Sequence, residues 1–351
     1  MKKSFQIGAA FIGVIVGAGF ASGQEILQFF TSFGVYSIIG SVVAMGLFAF
    51  IGMNLTQLGS RLQTESHRKV VLHICGPYLG PIVDMIITFF LFGVMVVMFS
   101  GAGAIFEQQF NIPSFVGGLF MAIATVLSVM LGIKKVMTLI SAFTPFLILI
   151  VLIITGFSFA QFDVATIQAH VAVASESQAA PHWLLGAALY VSYNIAAGTA
   201  MLTVMGGTVK DEKVAAWGGV IGGVGLGVII LLINLAMLSK IEQITDVSMP
   251  MLFMASEINP VIGVLFSVIL IGMVYNTAVA MLYAFTARFV KADTKAFQGA
   301  VIGVGALGFI ASFVGFTTLV GTVYPVTGYL GFVLMISIII AWVMKRKVVV
   351  Q

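Results

Sequence analysis

Charged residues and cysteine are both scarce in this chain of 351 residues. Only 8% of the residues are Asp, Glu, Lys or Arg, and there is one cysteine, Cys75. A lone cysteine cannot form a disulfide within the chain, and the four histidines show no spacing typical of metal ligands. The net charge of +4 comes from basic residues scattered over short loops, which does not build a nucleic-acid-binding face. These scarcities exclude a disulfide scaffold, a zinc framework and a nucleic-acid partner.

Hydrophobic residues are abundant instead: they make up 60% of the chain, and the mean hydropathy is +1.16. This composition predicts an integral membrane protein built only of α-helices. A spanning helix needs about 20 apolar residues. The ten segments that meet this length are 5–31, 34–58, 81–108, 114–131, 137–160, 182–205, 214–239, 260–289, 296–313 and 319–343.

The connections between these segments indicate how the chain is oriented in the membrane. Three are long, 59–80, 161–181 and 240–259, and the last is expected to hold a short helix lying against the bundle. With the N-terminus in the cytoplasm, every basic residue except Lys240 lies on the cytoplasmic side. This asymmetry predicts that both termini are cytoplasmic.

The chain repeats itself at an offset of about 180 residues. Spans one to five (repeat one, 5–160) and six to ten (repeat two, 182–343) start at corresponding positions within a single transmembrane domain, 1–351. Five is an odd number, so the second copy is inverted relative to the first. Inverted repeats are typical of secondary transporters, whose interrupted helices meet near the bilayer midplane and form the site.

Span one carries the first candidate interruption. Its stretch from Val14 to Glu25 contains Gly17, Gly19 and Gly23, three glycines in seven residues. Glycine is a weak helix former, and unwound backbone survives in a membrane only where protein or a cavity surrounds it. We predict two half-helices with an unwound joint at Gly17 to Gly19. The alternative is a glycine-rich packing face on an unbroken helix.

Span six carries the matching candidate. Ser192, Tyr193, Asn194 and Thr199 flank small residues there, and Gly198 follows Gly19 by one repeat offset. This match predicts a second interrupted helix.

These features resemble a known superfamily. Five plus five inverted spans with interrupted helices 1 and 6 resemble the LeuT fold, and Gly17-Ala18-Gly19 is similar to the joint of the amino acid–polyamine–organocation (APC) superfamily. Within it, the stretch from Gly13 to Glu25 resembles the YkvI-type bacterial membrane proteins, often described as amino-acid permeases. The resemblance implies a multi-pass protein of the bacterial cell (inner) membrane that performs amino-acid transport, by symport or another coupling.

The resemblance also implies an ion site. In sodium-coupled relatives, carbonyl groups at the positions of Gly13 and Val16 bind Na⁺ together with hydroxyl groups of the eighth span, where this chain has Asn276 and Thr277. Those relatives usually carry two adjacent hydroxyl residues, and Asn276 departs from that pattern. Na⁺ at these four residues and H⁺ therefore stay open as the coupling ion, and no other cofactor is predicted.

The joint itself predicts how a substrate binds. Free N–H groups at the start of the outer half-helix favour an anion, so a substrate carboxylate would lie over Ala18 to Gly23. Free carbonyl groups at the joints favour a cation such as an ammonium group. Ordinary packing and hydrogen bonding between helices is the alternative for the side chains. The predicted substrate-binding residues are Gly17, Ala18, Gly19, Phe20, Ser22, Gly23, Tyr193, Asn194, Ala197, Gly198 and Thr199.

Two carboxylates lie in apolar segments. Ser22-Gly23-Gln24-Glu25 fits a capping box, in which Glu25 would bond back to the start of the outer half-helix. A carboxylate at membrane depth is also costly and marks a functional site, so Glu25 is equally a candidate for proton coupling. Asp84 lies near the start of span three, where compensation of the helix dipole explains it.

Together these observations predict a secondary active transporter that works by alternating access. Its substrate is a small zwitterion or amine, with an amino acid as the first candidate, and its other partner is the lipid bilayer. The alternative is a receptor-like membrane protein that binds such a ligand without net transport. An enzyme is disfavoured, because no nucleophile–base pair or metal constellation lies within the spans.

Overall fold

The computed structural model describes residues 2–63, 67–131, 143–159, 178–292 and 294–343. The first half contains α1 (Lys2–Ile15), α2 (Ala18–Ser22), α3 (Gln24–Phe29), a 3₁₀ turn (Thr31–Phe33), α4 (Tyr36–Leu62), α5 (His67–Phe110), α6 (Ser114–Leu131) and α7 (Phe143–Phe159). The second half contains α8 (Trp183–Gly207), α9 (Glu212–Leu238), α10 (Ile241–Ile244), α11 (Pro250–Ile258), α12 (Pro260–Phe289), α13 (Lys295–Ser312) and α14 (Phe316–Val343).

The helices match the predicted all-α membrane protein with ten spans. Seven helices in the described ranges are long and apolar enough to cross a membrane, namely α4, α5, α8, α9 and α12 to α14. Spans four and five correspond to the shorter apolar helices Ser114–Met130 and Ile148–Ser158. Span one is divided among α1, α2 and α3.

The connections differ from the prediction at one of the three places. The segment 59–80 is not a long loop, because α4 ends at Leu62 and α5 begins at His67. Asp84 therefore lies far beyond the first turn of α5 and does not compensate a helix dipole. Its exposed carboxylate forms an ion pair with Arg288 at 2.8 Å instead. The short helix predicted within 240–259 is confirmed as α10 and α11. Most of 161–181 lies outside the described residues.

The interruption of span one is confirmed, but its position is corrected. The helical hydrogen bonds stop at Val16 and Gly17, and Gly19 lies inside the short helix α2. A second break follows at Gly23, whose φ of 82° lies in the left-handed region. Glycine is the residue that adopts this backbone without strain. A Cβ at Gly23 would also lie too close to Met251. Two separate breaks thus divide span one into three pieces.

The interruption predicted in span six is wrong, since α8 runs without a break from Trp183 to Gly207. Two of the polar groups that indicated a break bond the backbone of their own helix. Asn194 Nδ2 donates to the carbonyl of Tyr190 at 3.0 Å, and Thr199 Oγ1 donates to the carbonyl of Ile195 at 2.6 Å. Such bonds satisfy the side chains without opening the helix.

Small residues bring α4 close to α8 and α9. A Cβ at Gly59 of α4 would overlap the backbone of Thr203 in α8, and a Cβ at Gly219 of α9 would overlap the backbone of Gly52 in α4. Small residues at crossings allow membrane helices to approach this closely. The second, sixth and seventh helices of the span order are thereby held as one packed unit.

We expect Gly59→Ala to destabilise the protein, because the added methyl group meets backbone that cannot move aside as a side chain can. The expected cost is about 1–3 kcal/mol of unfolding free energy, as for other overpacked contacts. Gly46→Ala is the matched control on the same helix, since a Cβ there meets nothing within 4 Å. Thermal unfolding in detergent checks both variants. Equal midpoints for the two would contradict the close packing of α4 on α8.

Candidate functional site

A carboxylate lies at the centre of the bundle, where span one is broken. Glu25 is the second residue of α3, which begins directly after the left-handed turn at Gly23. Its residue exposure is 6%, and its Oε2 accepts a 2.5 Å hydrogen bond from the hydroxyl of Tyr193 on α8. Its other oxygen, Oε1, lies over Gly19, because a Cβ built on Gly19 would overlap it. The two breaks in span one thus fold α3 back so that Glu25 lies against α2.

Aromatic rings surround this carboxylate. The rings of Tyr193 and Tyr324 are stacked with centroids 4.9 Å apart, and the hydroxyl of Tyr324 also lies near Gly19. Phe29 and Phe90 pack against Tyr193 at 5.6 and 6.5 Å. The carboxylate therefore accepts a hydrogen bond from the hydroxyl of Tyr193 at the edge of an aromatic cluster, and the π-electrons of such a cluster attract organic cations.

Glu25 has no basic partner among the described residues. The ion pairs there join Arg61 to Glu212, Lys240 to Glu257 and Arg288 to Asp84. An ionised carboxylate that is buried without a cation is very costly, so such a group is neutral or binds a cation. Glu25 is therefore built to hold either a proton or a positively charged ligand.

Other polar groups next to Glu25 also lack protein partners. Both amide atoms of the buried Gln24 side chain and the hydroxyl of Tyr190 make no hydrogen bond to the described residues. Tyr190 lies against Tyr193, with ring centroids 5.4 Å apart. Buried polar groups are nearly always paired, so unpaired ones around a carboxylate indicate a place for a polar ligand.

The capping-box interpretation of Glu25 is wrong. Gly23, which has no side chain, occupies the position before α3, and Ser22 Oγ accepts from the N–H of Gln24 at 3.1 Å. The same hydroxyl donates to the carbonyl of Gly19 at 2.7 Å. Because Glu25 bonds Tyr193 instead of the backbone, its presence is not explained by helix capping.

The predicted substrate residues are placed unevenly around this centre. Gly19 and Tyr193 contact Glu25 directly, whereas Ala197 is exposed. A Cβ at Gly198 would meet Ile15 of α1, so this glycine serves packing. The remaining predicted residues form buried backbone and walls, except Gly17, which is half-buried: Ala18, Phe20, Ser22, Gly23, Asn194 and Thr199.

The sequence analysis missed Tyr324, Tyr190 and Gln24. Tyr324 precedes Pro325 inside the apolar α14, and a polar aromatic residue beside a proline in a span is a recognisable signal. Gln24 stands next to Glu25 in the same buried stretch. Tyr190 lies one helical turn before Asn194, and its backbone carbonyl accepts a hydrogen bond from Asn194 Nδ2.

The predicted sodium-binding residues lie on two elements. Val16 is buried at the first break, and Gly13 is an exposed residue of α1. Asn276 and Thr277 are half-buried on α12, the helix against which α2 packs. The sodium site at these four residues stays a prediction.

A separate open cavity of about 220 Å³ lies where α5 and α13 end and where α6 and α14 begin. Glu107, Ser312 and Thr317 are among its lining residues. Gln28 of α3 donates to the carbonyl of Thr317 at 3.0 Å. The layer between this cavity and the Glu25 centre is therefore held by a bond between α3 and α14.

No family model matches the chain, but two curated proteins and several solved structures do. It is 28% identical over 335 residues to the uncharacterized membrane protein YkvI of Bacillus subtilis, covering 92% of each chain. It is 25% identical over 335 residues to the uncharacterized protein YyaD of the same organism, covering 95% of this chain and 96% of YyaD. The resemblance to YkvI-type membrane proteins is thus confirmed along nearly the whole chain.

Three solved structures share the architecture. MhsT in complex with L-phenylalanine superposes with a TM-score of 0.65 at 14% identity, over 97% of this chain and 89% of MhsT. Inward-facing Mhp1 superposes with a TM-score of 0.63 at 14% identity, over 98% of this chain and 77% of Mhp1. The chain has the LeuT fold. A manganese transporter of Eremococcus coleocola superposes with a TM-score of 0.60 at 14% identity, over 94% of this chain and 76% of the transporter.

The LeuT fold gives the site its context. Discontinuous helices of this fold bind substrate at their free backbone ends near the repeat interface. In this chain α1 to α3 supply the discontinuous helix, and the continuous α8 supplies Tyr190 and Tyr193 from the second repeat. The carboxylate, the rings and the unpaired polar groups therefore meet where the two repeats meet.

Proposed function

We propose that the protein is a secondary active transporter of a small substrate that carries an amino group, working by alternating access. The observation that carries the proposal is Glu25, a carboxylate buried at the breaks of span one without a basic partner among the described residues. Intramembrane carboxylates of this kind mark substrate and ion pathways. The LeuT fold supports the proposal, since the three similar structures are those of transport proteins.

The chemistry of the site supports an amino group as the recognised part of the substrate. An ammonium ion that donates to Glu25 would lie beside the aromatic cluster of Tyr193 and Tyr324, and aromatic rings favour organic cations. Mn²⁺ and similar ions favour several oxygen ligands in octahedral geometry. In the described ranges no three His, Cys, Asp or Glu residues come together. A single carboxylate with aromatic neighbours fits an organic cation better than a metal ion.

Counterflow in liposomes tests transport directly. Purified protein is reconstituted into liposomes preloaded with an unlabelled amino acid or amine, and entry of the same labelled compound is followed. We expect entry that exceeds protein-free liposomes for at least one member of the panel. Tight binding of a compound that shows no counterflow would instead support the receptor-like alternative, in which a ligand is bound without net transport.

The coupling ion has its own test. If Glu25 carries the coupling proton, ligand affinity should not change when Na⁺ replaces K⁺ at constant ionic strength. Sodium binding at Gly13, Val16, Asn276 and Thr277 would give the opposite result, because two ligands that favour the same state strengthen each other equally. Binding measurements on the unmodified protein and on Thr277→Val distinguish coupling to a proton from coupling to Na⁺. A rise in affinity with Na⁺ that disappears in Thr277→Val would assign coupling to sodium.

A further inference from the structure

We propose that Glu25 binds either a proton or the ammonium group of the substrate, that the substrate is an amine without a carboxylate, and that it is therefore exchanged for a proton. This inference rests on the proposed function and specifies the substrate class and the coupling of that site. It follows from three features of the centre: its single charge, its enclosure, and the group that lies over Gly19.

The single charge requires one cation at a time. The titratable groups that face Glu25 are the phenols of Tyr190 and Tyr193 from α8 and of Tyr324 from α14, and phenols are uncharged near neutral pH. The other elements packed on α3 bring no charge to it: Glu212 at the start of α9 is paired with Arg61, the neighbouring Lys213 is exposed, and Glu257 near the end of α11 is paired with Lys240. A proton or an ammonium ion neutralises this centre, and both together would leave a buried positive charge.

The enclosure makes the exchange stoichiometric. Glu25, Gln24 and Tyr190 are all buried, so no bulk water stabilises an intermediate charge. When an ammonium ion approaches the protonated acid, the O–H bond of Glu25 breaks and the proton passes to the water of the side from which the ammonium ion enters. The carboxylate then accepts N–H bonds from the ammonium group. One proton leaves for each monovalent cation that binds, and no oxidant or other reactant is needed.

The carboxylate of Glu25, which lies over Gly19, excludes a substrate carboxylate from this place. The free N–H groups of the joint predicted a substrate anion over Ala18 to Gly23, but Oε1 of Glu25 lies over Gly19 and its Oε2 is bonded to Tyr193. A second carboxylate there would lie against the first, and two carboxylates at that distance cannot both ionise. The substrate that fits is therefore a monovalent amine cation with an apolar end.

Titration calorimetry on the full chain in detergent tests this inference with matched pairs of probes, phenethylamine against phenylalanine and isopentylamine against leucine. We expect the amine of each pair to bind at least about tenfold more tightly, the change expected from about 1.4 kcal/mol. Its affinity should rise about tenfold per pH unit over the range in which Glu25 holds its proton, with one proton released per molecule bound. Buffers of different ionisation enthalpy measure that proton.

Three variants keep the test specific. Glu25→Gln should remove both the pH dependence and the proton release, and Glu25→Asp should retain them at weaker affinity. Glu107→Gln removes an exposed acid of α5 beside the separate cavity and should change neither.

The outcomes separate the two proposals. Preferential binding of the amino acids, amine binding without proton release, or no binding of either amine overturns this inference. Counterflow of an amino acid would then leave the proposed transport function standing. Amine binding with proton release but without counterflow would uphold the exchange at Glu25 and remove transport.

Discussion

Replacing Glu25 by Gln is expected to lower the affinity for the transported compound at least about 100-fold, the loss that follows when one partner of a buried charge pair is removed. Gln has nearly the same shape and can still accept a hydrogen bond from Tyr193, so the packing around Tyr193 and Tyr324 is retained. What the variant loses is the negative charge that faces an ammonium group. Uptake should therefore fail because of binding and coupling, not because of folding.

Binding and counterflow measured on the same preparation check this expectation. Thermal unfolding of Glu25→Gln should match that of the unmodified protein or exceed it, because the neutral amide needs no counterion. Glu257→Gln serves as the control, since this acid lies in an exposed pair with Lys240. Unchanged affinity in Glu25→Gln would show that substrate is recognised elsewhere.

The second large effect is expected at Gly19. Even Gly19→Ala should abolish measurable binding, because the new Cβ would overlap Oε1 of Glu25 and push the carboxylate away from the joint. The displaced group is the end of a flexible side chain, so the fold can adjust at small cost. Gly19→Leu should have the same effect on binding, with its larger side chain filling the remaining space beside Tyr324.

A double variant separates this mechanism from a general packing defect. If Gly19→Ala acts through Glu25, Gly19→Ala combined with Glu25→Gln should bind no more weakly than Glu25→Gln alone, since interacting residues give non-additive losses. Gly303→Ala is the matched control, as a Cβ there meets nothing within 4 Å. Loss of folded protein in both Gly19→Ala and Gly19→Leu, with additive effects in the double variant, would support a packing role for Gly19.

Hydropathy and glycine spacing were sufficient to predict the spans and the break in span one. Membrane helices must be long and apolar, and unwound backbone needs residues such as Gly17 and Gly23, so both features are local in the sequence. The exact break was not predictable from spacing. It depends on which glycine adopts positive φ, and that is Gly23 because Met251 leaves no room for a side chain.

Span six shows where the same signals mislead. Asn194, Thr199 and Gly198 resemble the pattern of a break, yet the two polar side chains bond carbonyls of their own helix and the glycine packs against Ile15. Whether a small or polar residue opens a helix depends on its neighbours in space. The partners of Asn194 and Thr199 lie within their own helix and the neighbour of Gly198 lies in the first repeat, and periodicity along the chain reveals neither.

The composition of the site was only partly predictable for the same reason. Glu25 and Tyr193 stood out as polar residues in apolar spans, and the structure joins them by a hydrogen bond. Tyr324 of the last span stacks on Tyr193, and it lies almost three hundred residues after Glu25 in the chain. The role of Glu25 changed most, because its capping-box pattern fits the local sequence while its contacts lie across the bundle.

The central claim is that Glu25 exchanges a proton for a substrate cation, and infrared difference spectroscopy tests it most directly. Adding phenethylamine or isopentylamine to the protein should reduce the carbonyl stretch of a protonated carboxylic acid and increase the carboxylate bands. Neither change should occur in Glu25→Gln, and both should persist in Glu107→Gln. Amine binding that leaves the protonated-acid band unchanged, or that produces the same difference spectrum in Glu25→Gln, would contradict the exchange.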